Sequence, residues 1–217
     1  FYNGRTAEGV ERALVGLGAN SLDSRRSDAQ GALVEMGGTL DAAIVGNGYF
    51  MTQHPDQIGY SVTRNGSFAL DANGFLTSQD GDFVLGMTAV EGEFVGAGAD
   101  PETLQRIQIP IAASEDPLSS ISVKSNGNIL AAFGEGDDVP IATIPLAIFS
   151  NPNGLKQLGG GKYSPTDLAG KIFMGNPSSA GFGNLETGYV EGSNVDITTE
   201  MTNMIRAQQQ FNGAARI

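Results

Sequence analysis

The sequence predicts a mainly β protein, in which a complex antiparallel β domain with hairpins precedes a C-terminal α-helix that belongs to a coiled-coil core. Glycine is abundant, at 31 of 217 residues, and charged residues are few, at 17%. This composition favours short strands joined by tight turns. Asn-Gly and Asp-Gly pairs recur between short apolar runs, as in β-hairpins. After residue 183 a short strand-like piece leads into apolar residues with a helical period, which predicts the terminal helix.

Three regions are expected along the chain. Residues 1–39 are predicted to be a connecting segment of mixed strand and helix, residues 40–182 a β-rich domain, and residues 183–217 a C-terminal strand followed by an assembly helix. Within the first region, residues 6–15 predict only a weak helix, because the glycines near them lower helix propensity. Residues 25–36 predict a strand instead, since they contain the run Ala-Leu-Val.

The segment from residue 40 to residue 86 predicts a series of short strands. Asn65-Gly66 is expected to form a two-residue hairpin turn, and turns are also expected at Asp71-Ala-Asn-Gly74 and at Gln79-Asp-Gly81. The last four strands are therefore predicted to form an antiparallel meander. The strands are expected at 42–45, 49–51, 62–64, 67–70, 75–77 and 83–85.

Further strands are expected in the second half of the β domain. Residues 87–103, which are acidic and rich in glycine, predict a surface loop, and residues 104–111 predict a strand because isoleucines alternate there. A hairpin is expected to turn at Asn126-Gly127, with an acidic turn at 135–138. Residues 141–149 form the longest run with strand propensity.

The region that follows is less regular. Residues 152–163 predict a short helical turn followed by a corner of three glycines. Residues 165–182 are rich in Pro, Gly and Ser, which favours extended chain.

The terminal helix carries a narrow apolar seam. Along residues 197–215 the apolar positions alternate in steps of four and three, which is typical of a helix that meets another helix along its length. Ser193 and Asn194 are expected to cap it, and Asp196 and Glu200 suit the positive end of the helix dipole. Packing against the chain's own domain is the alternative, although a polar glutamine within the seam favours a helix assembly. The seam residues are Ile197, Met201, Met204, Ile205, Gln208, Phe211 and Ala215.

Composition excludes several classes of function. The net charge of −12 opposes binding to nucleic acid and to anionic membranes, because both need clustered Lys and Arg. The chain has no cysteine and one histidine, so no disulfide framework and no Cys or His metal site is expected. No run of about 18 apolar residues spans a membrane, and the N-terminus does not resemble a signal peptide. No cofactor is expected.

Candidate catalytic and ligand-binding motifs are weak. Asp71-Ala-Asn-Gly74 would place Ala69 where a calcium loop needs a carboxylate, so we interpret it as a turn. Gly159-Gly-Gly-Lys162 lacks the Ser or Thr that follows the lysine of a phosphate-binding loop. His54 is not accompanied by a serine elbow or an ordered triad. We therefore expect no enzymatic activity, although a glycosidase-type carboxylate pair remains open, with Glu115–Asp116 and Asp137–Asp138 as the adjacent acidic pairs.

Four stretches of the chain resemble motifs of the flagellar rod and hook family, the axial proteins of the bacterial flagellum. Residues 40–50 resemble the family's LDxAIxGxGFF strand, and residues 63–76 resemble its YTRxGxFxxDxxGxL hairpin. Residues 147–163 resemble FxNPxGLxxxGxNxY, and residues 188–211 resemble GxLExSNVDxxxEMxxMIxxQRxY. The four matches occur in the family's order. Departures are modest: Lys162 stands where Asn is common, and Gln209-Gln210-Phe211 replaces the more usual Arg-x-Tyr.

The resemblance implies a structural subunit of the flagellar axial tube, rod or hook, that self-assembles helically and transmits torque. Terminal helices of such proteins form an inner coiled-coil layer, and the β-rich middle forms the outer domain. Its implied partners are copies of itself and neighbouring axial proteins, with an export chaperone as a further candidate and with no nucleic acid and no small-molecule substrate. Export would use the type III channel without a cleavable signal peptide, and the protein would lie in the basal body or hook, from periplasm to exterior.

Two questions stay open at the level of sequence. The family's N-terminal helix is missing from a chain that begins at Phe1, so we expect a fragment lacking terminal helices. The short interval between the second and third motifs favours a rod protein over a hook protein, but both remain. The alternatives from other classes are a secreted acidic β-rich carbohydrate-binding or glycosidase-like domain and an extracellular scaffold. Few aromatic side chains are present on which a sugar ring could stack, because the chain has no Trp and only five Tyr.

Overall fold

The computed structural model describes residues 30–90, 93–95, 100–111, 117–134 and 136–214. The weak helix predicted at 6–15 lies outside these residues. The described part divides into two compact units, one that reaches Asn194 and contains every described strand, and one that contains the terminal helix. No helix of the described part is long and apolar enough to cross a membrane.

The described chain contains eighteen strands and one α-helix. The helix, α1, spans Ile197–Ala214, and short 3-10 turns occur at Pro101–Thr103, Pro152–Gly154 and Asp167–Ala169. The strands in chain order are β1 Leu33–Glu35, β2 Ala42–Val45, β3 Phe50–Gln53, β4 Ser61–Thr63, β5 Phe68–Leu70, β6 Leu76–Ser78, β7 Phe83–Val90, β8 Glu93–Val95, β9 Gln105–Arg106, β10 Leu118–Val123, β11 Asn128–Phe133, β12 Val139–Thr143, β13 Leu146–Phe149, β14 Lys156–Gly159, β15 Lys162–Ser164, β16 Ile172–Gly175, β17 Asn184–Thr187 and β18 Tyr189–Glu191.

Every pair of described strands is antiparallel, which confirms the predicted fold class. The largest sheet has twelve strands and follows the order β10-β11-β12-β7-β3-β4-β15-β14. Strands β6, β8 and β9 pair with β7 beside this path, and β5 pairs with β6. Three two-stranded sheets complete the fold: β1 with β18, β2 with β17, and β13 with β16.

The core consists of two apolar clusters on opposite faces of the sheet. In β3, Phe50 belongs to one cluster and Met51 to the other, as expected when successive side chains of a strand alternate. Ile107 and Ile109 are both fully buried, as the alternation predicted for residues 104–111 requires, but Ile111, the third isoleucine, is 38% exposed. Only the short β9 forms a regular strand there, and Gln108 adds a single bridge to Phe75.

Most of the predicted turns are present. Between β5 and β6, Asp71 Oδ1 accepts hydrogen bonds from the backbone N–H of Asn73 at 2.8 Å and of Phe75 at 2.7 Å, and Gly74 has a φ of +82°. Glycine adopts this left-handed backbone without the steric cost of a Cβ. The β10–β11 hairpin turns at Gly127 as predicted, and the three-glycine corner connects β14 to β15. In the described residues no group of acidic or histidine side chains could hold a metal ion.

The hairpin predicted at Asn65-Gly66 is wrong. Strand β4 pairs with β3 and β15, whereas β5 pairs with β6, so the strands on either side of Asn65-Gly66 do not pair with each other. The Gly66 carbonyl accepts a hydrogen bond from Ala42 N–H at 3.0 Å, and a Cβ at Gly66 would overlap the Ala42 carbonyl oxygen. Close approach of two backbones, not turn geometry, therefore requires this glycine.

Two other predictions need correction. The surface loop predicted at 87–103 is partly a hairpin, because β7 continues to Val90 and pairs with β8. The single run predicted at 141–149 is two strands in different sheets, with β12 in the large sheet and β13 paired with β16. The break falls at Ile144-Pro145, where proline has no N–H to donate to a ladder.

Candidate assembly surface

Helix α1 begins at a capping aspartate. Asp196 Oδ1 accepts a hydrogen bond from the Thr198 N–H at 2.9 Å, and Oδ2 accepts one from the Thr199 hydroxyl at 3.1 Å. The Asp196 carbonyl accepts from Glu200 N–H at 3.0 Å, which closes the first turn. Asp196, directly before Ile197, therefore caps the helix, whereas the sequence pointed to Ser193 and Asn194.

The cap depends on ionisation of Asp196. The hydrogen bond from the Thr198 N–H, followed by that from the Thr199 hydroxyl, lowers the pKa of this carboxyl below its ordinary value. Because the folded pKa is depressed, the cap stabilises the helix start at pH values above the ordinary carboxyl pKa. The stabilisation is lost as the pH falls through the folded value.

The predicted seam is exposed, as are all residues of α1 from 197 to 213. Its large apolar side chains are each more than half exposed, from 54% for Ile205 to 69% for Phe211. Gln208 is exposed as well, and Ala215 lies outside the described residues. A helix of this length is marginal in water unless an apolar face is packed. The exposed seam residues are Ile197, Met201, Met204, Ile205, Gln208 and Phe211.

A charged pair supports the strand that leads into α1. Arg64 Nε donates to Glu191 Oε2 at 2.7 Å, and the guanidinium also donates to the carbonyls of Gly48, Gly46 and Ile44 at 3.1, 3.1 and 3.3 Å. We call this arrangement the Arg64–Glu191 clasp. Charge-assisted bonds of a planar guanidinium are among the stronger hydrogen bonds in proteins. The clasp fixes β18 to the β2–β3 connection and to β4.

The clasp extends to strand β1. The second carboxylate oxygen of Glu191, Oε1, accepts a hydrogen bond from Gly31 N–H at 2.9 Å. The Gln30 side chain donates to the Ile44 carbonyl at 3.2 Å and accepts from the Gly46 N–H at 3.2 Å. Both strands of the two-stranded β1–β18 sheet are thus held to the same connection. Sequence reasoning did not single out Arg64 or Glu191, although both lie within stretches that resemble the family motifs.

A second polar cluster surrounds Lys162. Its Nζ donates to Asp82 Oδ2 at 2.9 Å and lies 3.5 Å from Asp80 Oδ2. The hydrogen bond to Asp82, with the charges of both carboxylates, raises the pKa of Lys162 above its ordinary value despite partial burial. Lys162 and Asp82 line a cavity of about 580 Å³ together with His54. Residues 159–162, which resemble part of a phosphate-binding loop, therefore form a hairpin corner, and Lys162 forms an ion pair there.

Among the described residues, the cavity that His54 lines does not include the acidic pair Asp137–Asp138. His54 Nδ1 accepts a hydrogen bond from the Asp56 N–H at 3.2 Å, within a turn. Asp137 and Asp138 are exposed in the turn before β12, and residues 115–116 lie outside the described part of the chain. Among the candidate functional sites of the described residues, the exposed apolar seam on α1 is therefore the one that we follow further. An antiparallel β domain that carries such a helix is typical of a subunit that assembles with others.

Comparisons with known proteins identify the family. Residues 43–131 match the family model described as flagellar hook protein FlgE/F/G D1 domain, and residues 186–217 match flagellar basal body rod FlgEFG protein C-terminal. The flagellar basal-body rod protein FlgG of Bacillus subtilis is 33% identical over 99% of this chain and 73% of its own length. FlgG of Agrobacterium fabrum is 31% identical over 95% of this chain and 70% of its own length. The chain belongs to the flagellar rod and hook protein family.

The match to hook proteins is less extensive. The flagellar hook protein FlgE of Caulobacter vibrioides is 35% identical, but over 46% of this chain and 17% of its own length. Rod relatives therefore match nearly the whole chain, whereas this hook relative matches less than half of it.

Proposed function

We propose that this chain is a structural, non-enzymatic subunit of the bacterial flagellar axial tube. It self-assembles helically and transmits torque, and it lies in the basal body or hook. The observation that carries the proposal is the exposed apolar seam of α1 in a chain of this family. The relatives are named as flagellar rod or hook proteins, so the comparisons give no support to a carbohydrate-binding or glycosidase-like domain.

Within the family we favour a rod protein. Support comes from the coverage of the two FlgG relatives, 99% and 95% of this chain, against 46% for the hook relative of Caulobacter vibrioides and 74%, at 24% identity, for that of Brucella suis. A compact β domain with a short interval between motifs agrees with this preference.

The regions of the chain are proposed to have separate tasks. Residues 40–182 form the outer β domain, residues 183–217 supply the C-terminal strand and the assembly helix, and residues 1–39 connect the two. The seam packs against helices of the same protein, of further copies and of neighbouring axial proteins. Export proceeds through the flagellar type III channel without a cleavable signal peptide. The absence of cysteine is compatible with passage of an unfolded chain.

The seam is tested by the Met204→Asp substitution in the full-length protein. We expect assembly into the axial structure to fail and motility in soft agar to fall to background, because a carboxylate would be buried between helices without a partner. The urea unfolding midpoint of the β domain should stay unchanged, since Met204 is exposed.

The matched control is Gln210→Asp, which adds the same charge on the opposite side of α1, given about 3.6 residues per helical turn. This variant should assemble and support motility as wild type does. Normal assembly of Met204→Asp would show that the seam is not an assembly surface.

A further inference from the structure

The two faces of the β1–β18 ribbon differ in charge. We define the ribbon as Leu33–Glu35 paired with Tyr189–Glu191. Glu191 points toward the β domain, where it joins the clasp with Arg64. Because side chains alternate along a strand, Glu35 shares this face, and the neighbouring valines project from the other.

The opposite face of the ribbon has no charged side chain. Val34 lies directly across from Val190, and the backbone ladder continues through Met36 N–H to the Gly188 carbonyl and through Gly192 N–H to the Ala32 carbonyl. We call this the uncharged face. Its members are Ala32, Val34, Met36, Gly188, Val190 and Gly192.

The β1 side of the uncharged face is exposed to solvent, whereas Gly188, Val190 and Gly192 on the other side are half-buried. Val34 is 48% exposed and Met36 62% exposed, and Gly188 and Gly192, which flank β18, have no side chains. A two-stranded ribbon is marginally stable by itself and needs cover on an apolar face. The clasp supports one face of this ribbon, whereas nothing in the described chain buries the side chains of Val34 and Met36 on the other.

Charge favours a second copy of the same chain as the cover. At a net charge of −12, two copies repel each other over most of their surfaces. Contact is least costly where neither copy presents a carboxylate, and the centres of protein interfaces are depleted of charged residues. Five residues lie between Glu191 and Ile197, so at most about 20 Å of chain connects the ribbon to the start of the seam.

We propose that the uncharged face of the β1–β18 ribbon is a lateral contact between copies of this chain in the assembled tube. The proposal rests on the proposed function and adds a second assembly surface to the seam. Three large apolar side chains cover far less than the roughly 800 Å² per partner of a stable complex. The contact consequently forms within the polymer, where the seam already holds the subunits, and the separate chain stays monomeric.

Photo-cross-linking of the full-length protein tests this contact. The photoreactive residue p-benzoylphenylalanine is placed at Val34 in one variant and at Glu35, the exposed neighbour on the other face, in the matched control. Axial structures purified from flagellated cells are irradiated and separated by mass. We expect an adduct of two copies of the chain from position 34, several-fold more abundant than from position 35. Position 36, on the uncharged face, should behave as position 34 does.

A third probe position separates this proposal from the proposed function. The same residue at Met204 reports the seam. Adducts of two copies from position 204 but from neither 34 nor 36 would overturn the ribbon contact and leave the proposed function intact. An adduct of positions 34 and 36 with a different protein, or equal yields from positions 34 and 35, would overturn it too. If the wild-type protein is absent from the purified structures, both proposals fail.

Discussion

Replacing Arg64 with alanine is expected to destabilise the β domain by about 1–3 kcal/mol, the usual cost of leaving a largely buried acceptor without its hydrogen-bond donor. The side chain of Glu191 is only 10% exposed and would lose its cation. The carbonyls of Gly46 and Gly48 would lose a charged donor at the same time. The ribbon should then open before the large sheet unfolds, because the clasp is its main attachment on that face.

The measurement combines urea unfolding with hydrogen exchange. Tyrosine fluorescence reports unfolding, since the chain has five Tyr and no Trp. Exchange should accelerate at the amides of Met36 and Gly192, which bond across the ribbon. Arg206→Ala, at an exposed position on α1, is the control and should change stability by no more than about 0.5 kcal/mol. An Arg64→Ala chain as stable as the control would contradict the role given to the clasp.

Replacing Gly66 with alanine is expected to destabilise the protein by about 3 kcal/mol or more, at the upper end for overpacking. The added Cβ would overlap the Ala42 carbonyl oxygen and approach Phe50 Cε2 to 2.9 Å. Both neighbours belong to the buried core, so relief requires a shift of β2 and loss of the bond from Ala42 N–H to the Gly66 carbonyl. The unfolding midpoint in urea should fall accordingly.

Gly213→Ala is the matched control for this substitution. A Cβ at Gly213 has no atom within 4 Å, and alanine favours a helix interior over glycine by about 1 kcal/mol. Circular dichroism should therefore show equal or greater helix content in this variant. If Gly66→Ala unfolds at the same urea concentration as wild type, the close approach of the two backbones is not what requires glycine.

Local chemistry explains which parts of the fold could be predicted from the sequence. The turn at Asp71 was predictable because one side chain and one glycine specify it within five residues. The glycine corner before Lys162 was predictable for the same reason. Asn65-Gly66 has the same turn-forming sequence, but Gly66 lies against Ala42 in β2, a strand distant in sequence. No local pattern distinguishes a glycine needed for a turn from one needed for close packing.

In the candidate assembly surface, contacts between residues far apart in sequence could not be predicted. The helix was predictable because its period is local, and the same period places Met201 and Met204 on one side of it, while the role of that side in assembly stays a proposal. The clasp was not, since Arg64 and Glu191 are 127 residues apart in sequence and meet only when β18 lies beside β1 and β2. The helix cap was predicted two to three residues too early. Ser193, Asn194 and Asp196 are all residue types that cap helices, and the residue at which the backbone becomes helical determines which of them caps this one.

Methionine oxidation tests the central claim, that the seam of α1 is buried by assembly, most directly. Met201 and Met204 are 58% and 59% exposed, whereas Met51 is fully buried. Exposed methionines are converted to sulfoxides by dilute peroxide, and mass spectrometry gives the rate at each position. In the separate chain, the two seam methionines should oxidise much faster than Met51. In purified axial structures, we expect their rates to fall to that of Met51. Seam methionines that oxidise equally fast in the separate chain and in the assembled structure would contradict the account.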